Sequence, residues 1–301
     1  MRKLSQSQGY QMLIHRLHLF ALLLFIPSFT TAATSVQRII TLAPHATELA
    51  YAAGLGNKII AVSDYSDYPP EVKNLPKVAN YKGIKIEKIL SLKPDLVIIW
   101  PDGNPPRELQ KLKQMGVRTY PSQIHRLADI ADNIEALSQY ADDPQIGRKN
   151  AQQFRQQLAA LKQRYQHARK VRFFYQLSEK PIITIAQNRW PSEVFEFCGG
   201  ENVFRNSPAP YPQVSREQVL LAQPDVIFNS RHAVENLHMW TDWPRIPAVR
   251  LHQVWTLNSD WLNRPTPRTI RAIEEICDYL DEARKNSQTL STEKSGYKTI
   301  D

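Results

Sequence analysis

The side chains best suited to do chemistry in this chain are aromatic, and they fall in loops. Tyr65 and Tyr68 lie in the turn-rich segment SDYSDYPP (residues 63–70), Trp100 closes an apolar run, and Tyr211 sits in a proline-rich stretch. Asp260, Trp261, Asn263 and Arg264 come together in NSDWLNR, and His45 follows the first apolar run. Flat aromatic faces beside a carboxylate, an amide and a guanidinium suit the retention of a large, flat, partly apolar molecule. The patterns that catalysis uses are missing from the sequence: there is no G-x-S-x-G elbow, no glycine-rich phosphate loop and no H-E-x-x-H. The eight histidines are dispersed, and neither Cys198 nor Cys277 has a second ligand at metal-binding spacing. The chain therefore reads as a binder rather than an enzyme, with no metal and no cofactor of its own.

The elements that must position these groups repeat. Residues 86–99 (IEKILSLKPDLVII) and 216–228 (REQVLLAQPDVIF) align at a constant offset of 130, pairing Glu87 with Glu217, Pro94 with Pro224 and Asp95 with Asp225. Each copy predicts a short helix, a Pro-Asp turn and a buried strand. Two distant copies imply two lobes on one plan, with a cleft between them. The period is too long for a solenoid. Strands are expected at 38–43, 59–62, 95–100 and 117–120, with helices at 47–53, 107–115 and 127–140 between them. Strands alternating with helices indicate an α/β fold with parallel sheets covered on both faces.

Residues 145–170 repeat Phe154, Leu158, Leu161 and Tyr165 at three- and four-residue steps, which predicts one long, stiff helix joining the lobes. The second lobe is expected to hold strands at 171–176, 181–186, 225–228 and 254–257 and helices at 192–198 and 267–284. Ser215 and Gln218 form a capping box at the second repeat helix. The division expected is a signal peptide (1–33), a first lobe (36–142), the bridging helix (143–170), a second lobe (171–284) and a disordered tail (285–301). In open parallel sheets ligands gather beyond the carboxyl ends of the strands. That rule selects His45, Asp64, Tyr65, Tyr68, Trp100 and the 258–264 segment. Trp240 and Trp243 read as core, Tyr68 as a possible support for the Pro-Pro step, and Arg264 either as a partner of Asp260 or as a ligand contact.

The leader carries Arg2, Lys3 and Arg16 before an apolar run (residues 17–29) and then small residues, the pattern of an export signal cut after Ala32 or Ala33. The run is shorter than the ~18–20 apolar residues a membrane span requires. An exported protein, not embedded in a membrane, is expected. The chain is basic, at +9, but its Lys and Arg residues are scattered rather than gathered in a stripe, which argues against nucleic acid. In an oxidising compartment Cys198 and Cys277 are expected to form a disulfide, with two buried free thiols as the alternative. A bridge over such a loop would stabilise the fold by ~4 kcal/mol on the chain-entropy model.

RIITLAPHATELAYAAG, SDYSDYPP, LKPDLVI, CGGENVF, PYPQVSREQVL and SDWLNRPTPR together resemble the cobalamin-binding periplasmic proteins of bacterial ABC importers, within the wider family that binds metal chelates (siderophore, haem, cobalamin). The resemblance runs from about Arg38 to about Leu280. It implies two Rossmann-like lobes joined by a single long helix, a pairing of Cys198 with Cys277, and a monomer that delivers cobalamin to permease subunits in the inner membrane. Carried over by position, Tyr65, Asp260, Trp261, Leu262, Asn263 and Arg264 would touch cobalamin, and Tyr81, Trp100 and Tyr211 would line the cleft. Tyr81 and Tyr211 stand where the family often has Trp, which keeps an aromatic face with less area. His45 stands where the family has a small residue, and is placed to meet a corrin amide or the cobalt. Glu87 and Glu217 resemble docking points, one per lobe, for arginines of a dimeric permease; on the sequence alone each is equally a first-turn acid favoured by the helix dipole. Haem or a ferric siderophore remains the alternative ligand, with Tyr65 and His45 as groups for haem iron.

Overall fold

The first sheet is built on Ile39 and Ile40, adjacent residues whose side chains enter opposite apolar layers. A computed structural model describes residues 36–231, 234–236 and 238–296, with the side chains of 288–296 excepted. The expected signal peptide (1–33) lies outside the described residues. The sheet comprises β1 (Ile39–Thr41), β2 (Ile59–Ser63), β3 (Lys77–Asn80), β4 (Gly83–Ile84), β5 (Leu96–Ile99) and β6 (Thr119–Pro121), ordered β4-β3-β2-β1-β5-β6. All neighbours are parallel except β3 and β4. Four helices interleave: α1 (Pro44–Ala52), α2 (Ile86–Ser91), α3 (Pro106–Gln114) and α4 (Leu127–Ser138). Helix α5 (Pro144–Tyr165) then leads to the second half.

The second half holds β7 (Val171–Gln176), the ribbon β8 (Ser178–Glu179) and β9 (Ile182–Ile183), α6 (Ser192–Phe197), β10 (Gly200–Asn202), α7 (Arg216–Ala222), β11 (Val226–Ser230), α8 (Pro247–Arg250), β12 (Val254–Leu257), α9 (Ser259–Leu262) and α10 (Thr269–Gly296). Its sheet, β10-β7-β11-β12, is wholly parallel. Phe173 and Phe174 divide between its two faces as Ile39 and Ile40 do in the first. One apolar cluster runs from Ile39 and Leu96 through Phe154 of α5 to Phe173, Phe228 and Ile273. The core thus crosses from lobe to lobe along the bridging helix. Gly147 of α5 permits the close approach: a Cβ there would lie 2.4 Å from the Ser138 side chain and 3.1 Å from the Ala53 backbone.

The α/β architecture with two parallel sheets and a long joining helix is as expected, and several element bounds differ. Pro44 opens α1 rather than merely ending the strand, because a proline at the first helical position lacks only an N–H that would have no partner there. Residues 77–84 form a hairpin that the alternation did not reveal. Of the expected strand 181–186, residues 182–183 form β9 of the β8–β9 ribbon, while Thr184 and Ala186 donate their backbone N–H groups to Pro212 O and Pro210 O. Residues 285–296, expected as a disordered tail, continue α10, whose sequence has no Gly or Pro before Gly296. Cys198 and Cys277 are disulfide-bonded with Cα atoms 5.1 Å apart, joining the end of α6 to α10. Trp240 is fully buried and its indole N–H donates to Gln176 Oε1 at 2.8 Å, while Trp243 packs on the same cluster.

The repeat has a structural reason in both lobes. Asp95 Oδ2 accepts from the backbone N–H groups of Gln37 (2.8 Å) and Arg38 (2.9 Å), and the Arg38 guanidinium donates to Leu92 O at 2.7 Å. In the second copy Asp225 Oδ2 accepts from Arg172 N (3.1 Å), and Arg172 donates to Ala222 O at 2.7 Å. Lys93 and Gln223 each adopt left-handed backbone (φ 45 and φ 48), ending the helix one residue before the proline. Helix end, turn and neighbouring strand are thereby stapled by one Arg–Asp pair per lobe. Asp95→Ala and Asp225→Ala should each lower stability by about 1 kcal/mol, and Asn at either position, which keeps an acceptor, should lose less. Urea unfolding of the single and double variants checks this: the losses should add, because the sites lie in different sheets.

Candidate functional site

Parallel strands place all their carboxyl ends on one edge of a sheet, and cross-lobe ion pairs bring the two edges together here. Arg268, after β12 and α9, grips Glu48 of α1 through two bonds, Nε to Oε2 at 2.8 Å and Nη2 to Oε1 at 2.5 Å. Arg264 Nη1 reaches Asp67, in the loop after β2, at 2.5 Å, while Nη2 pairs with Asp260 at 3.0 Å. Glu48 also lies 3.7 Å from Arg264. The Arg268 guanidinium stacks over the Tyr68 ring at 4.3 Å. Burial works against the charge on Asp67, but the bond from Arg264 and the nearby guanidinium charges outweigh it and hold the carboxyl below its ordinary value. Arg264 is raised in turn: burial disfavours its charge, and Asp67, Asp260 and Glu48 more than compensate.

Among the described residues, the exposed large aromatics are Tyr65 (73%), Tyr68 (44%), Tyr81 (82%), Trp100 (38%) and Tyr211 (51%). Every one of them follows the carboxyl end of a parallel strand: Tyr65 and Tyr68 after β2, Tyr81 after β3, Trp100 after β5 and Tyr211 in the segment after β10. Tyr65 has left-handed backbone (φ 62), a conformation that costs a bulky residue energy and is retained where the surroundings impose it. Beneath it a buried hydroxyl chain links Thr41, Thr47, Ser66 and Ser63, with contacts of 2.6, 3.2 and 3.0 Å. Lys77 Nζ caps the Ser66 and Val72 carbonyls. The loop bearing Tyr65, Asp67 and Tyr68 is therefore held from below.

Trp100 stands where strand order reverses between β1 and β5, the usual crevice of such sheets. Its backbone N–H donates to Asn104 Oδ1 (2.7 Å), and Asn104 in turn donates to Leu42 O (2.9 Å). His45 in the first turn of α1 meets the indole edge-on, with centroids 5.4 Å apart and planes at 84°. It is only 5% exposed, and Nε2 has no hydrogen-bond partner among the described residues. Burial pushes its pKa down to about 4, against a hydrogen bond to the Ser122 backbone that favours the proton. His45 is a neutral ring behind Trp100, not a group facing the cleft, and the expectation that it meets a corrin amide, cobalt or haem iron is corrected accordingly.

The 258–264 segment divides in the same way. Asn258 caps α9 by accepting from Asp260 N at 3.1 Å and Trp261 N at 3.4 Å, which turns the two side chains that follow. Asp260 and Arg264 reach the edge. Leu262 does not: its side chain is 0% exposed, inside the core, and its carbonyl accepts from the Trp190 indole at 2.8 Å. Trp261 is half-buried on the core, with the Arg271 guanidinium 5.5 Å from its ring. Asn263 accepts from the Tyr175 hydroxyl at 3.0 Å and donates to Ser230 Oγ at 3.3 Å. Burial, opposed by the hydroxyl's own hydrogen bonds to Ser230 and Asn263, raises the Tyr175 pKa to about 12, so the phenol remains a donor.

Sequence reasoning singled out neither Glu48, Asp67 and Arg268 nor Asn104 and Gly103. The first three sit inside quoted motifs, but pairs separated by 197 and 220 residues become visible only in the fold. A hollow of about 460 Å³ is lined by Glu48, Arg268, Tyr51, Tyr68, Phe154 and Arg271. None of Tyr65, Tyr81, Trp100 or Tyr211 lines it. Among the described residues no three His, Cys, Asp or Glu side chains converge as a metal site. No helix there is long and apolar enough to cross a membrane.

Glu87 and Glu217 occupy the first turns of α2 and α7, and both are exposed. The two acids stand at equivalent positions of the two repeat helices, one per lobe. Glu217 lies below its ordinary pKa because the Ser215 hydroxyl and its own backbone N–H bond the carboxylate.

The sequence pattern of the periplasmic binding protein family matches residues 39–261. A vitamin B12-binding protein of Vibrio parahaemolyticus is 60% identical over 263 residues, 87% of this chain and 96% of that protein. The crystal structure of the periplasmic vitamin B12-binding protein BtuF of Vibrio cholerae superposes with a TM-score of 0.80 at 61% identity, covering 83% of this chain and 99% of that one. A periplasmic haem-binding protein, BhuT, shares the fold alone, at 22% identity and a TM-score of 0.74 over 82% of this chain and 98% of its own. With a family pattern over most of its length and relatives of this identity, the chain belongs to the periplasmic binding protein family.

Proposed function

We propose that this protein holds a cobalamin between the carboxyl edges of its two sheets and presents it to an inner-membrane ABC importer. The observation that carries the reading is the gathering of the exposed aromatics on those edges, beside the Asp260–Arg264 pair. Tyr65, Tyr81, Trp100 and Tyr211 offer faces to the corrin and its lower base. Asp260 and Arg264 offer an acceptor and a donor to its amide side chains and phosphate. Trp261 and Asn263 contribute by shaping that segment, and Leu262 by anchoring it. The high identity to vitamin B12-binding proteins supports cobalamin over haem, for which His45 is enclosed and Tyr65 is the group that remains. The protein acts as a carrier without chemistry of its own. Residues 1–33 serve as its export signal to the periplasm, and residues 36–142, 143–170 and 171–284 as first lobe, bridge and second lobe of a monomer.

Calorimetric titration of the purified mature protein should give one-to-one binding of cyanocobalamin and none of hemin; hemin binding without cobalamin binding would refute the ligand. Trp100→Ala should weaken cobalamin about tenfold or more, since losing a buried aromatic contact costs roughly 1.5–3 kcal/mol.

Glu87 and Glu217 are proposed as the docking acids, each for an arginine of one permease subunit. Glu87→Ala with Glu217→Ala should leave cobalamin affinity unchanged and abolish uptake in a strain lacking its own binding protein. Normal uptake by the double variant would reduce both residues to first-turn acids.

A further inference from the structure

Trp100 is held by two groups that touch no expected ligand. One is His45, whose buried ring is in T-shaped contact with the indole, centroids 5.4 Å apart, and whose Nε2 has no hydrogen-bond partner among the described residues. A buried polar atom without a partner is uncommon and calls for an explanation. The other is Gly103, three residues beyond Trp100 in the turn that Asn104 fixes. A Cβ at Gly103 would lie 2.1 Å from both Cε3 and Cζ3 of the indole and 2.5 Å from Cη2. The indole therefore lies flat against the glycine backbone, in space that no other residue leaves free. Gly103 N donates to Trp100 O at 3.1 Å, and Asn104 N to the same oxygen at 2.8 Å, so the backbone beneath the ring is fixed as well.

We infer that His45 and Gly103 are positioning residues that seat the Trp100 indole, Gly103 against one face and His45 in T-shaped contact, and that this clamp sets how well the aromatic edge receives its ligand. The proposal rests on the cobalamin reading for its affinity consequences, but the clamp itself does not. An unclamped indole on an exposed loop samples several rotamers, and binding must then select one of them. A clamped indole has already lost that freedom, so less is lost on binding. His45→Phe, which keeps a ring of similar size, should preserve the clamp, and His45→Ala should release it. Gly103 is exposed, so Gly103→Ala alters the indole's seat without touching the core.

Two measurements test this. In protein labelled with 5-fluorotryptophan, the Trp100 resonance is identified by its loss in Trp100→Phe. Gly103→Ala and His45→Ala should shift or broaden that resonance and leave those of the other five tryptophans in place. An unmoved Trp100 resonance in both variants would overturn the clamp whatever the ligand. In calorimetry with cyanocobalamin, Gly103→Ala and His45→Ala should each weaken binding about fivefold to tenfold and His45→Phe by less than twofold. Both losses should vanish when combined with Trp100→Ala. Losses that persist in that background would show a general structural effect and overturn the positioning role. Wild-type protein that fails to bind cobalamin would instead overturn the ligand reading, and the fluorine spectra would still decide the clamp.

Discussion

The paired arginines that cross between the lobes are the constraint on which the site depends. Glu48 is 3% exposed, and a carboxylate so enclosed persists only with its charge matched. Arg268 supplies two charge-assisted bonds in the planar geometry that a carboxylate accepts. Buried pairs of this kind contribute little net stability, but breaking one by removing a partner typically costs 3–5 kcal/mol. Their effect is to make one relative placement of the two edges far cheaper than its neighbours. Arg264 extends the constraint to the cleft wall, since it holds Asp67 of one lobe and Asp260 of its own at once.

Below the clasp, the bridging helix and the continuous apolar cluster act in the same direction. Phe154 and Tyr165 are buried on α5, and Gly147 lets that helix approach α1 and α4 closely. A helix packed into both lobes transmits force differently from a flexible linker, because bending it would open a core packed at crystal-like density. The duplicated Arg–Asp staples secure each sheet at its amino edge, away from the ligand. The carboxyl edges are left free for loops whose backbones are costly by themselves, such as Tyr65 at φ 62.

Much of this was legible in the sequence because it is local. The helix–Pro-Asp–strand repeat, the capping box at Ser215 and the amphipathic period of α5 are read within a few turns of chain. The loops at strand ends followed from the rule for parallel sheets, and that rule selected Tyr65, Trp100, Asp260 and Arg264, each of which follows a strand's carboxyl end in the fold. What the sequence concealed is contact between distant segments. Nothing in HATELAYAAG says that Glu48 meets Arg268, and nothing near Trp100 says that His45 backs it. Leu262 shows the limit of reading a run of neighbours as one site. A short helix sends successive side chains in different directions, so Asp260 reaches Arg264 at the edge while Leu262 enters the core. Residues 285–296 show the converse: a polar stretch without a breaker continued the helix it followed.

The most direct test of the account is a crystal structure of the protein with cyanocobalamin bound. The account predicts the corrin between the two carboxyl edges, with Trp100 in its present orientation against it and Arg264 within hydrogen-bond reach of the ligand. Cobalamin seated instead in the 460 Å³ hollow lined by Tyr51, Phe154 and Arg271, or held without contact to Trp100, would contradict it.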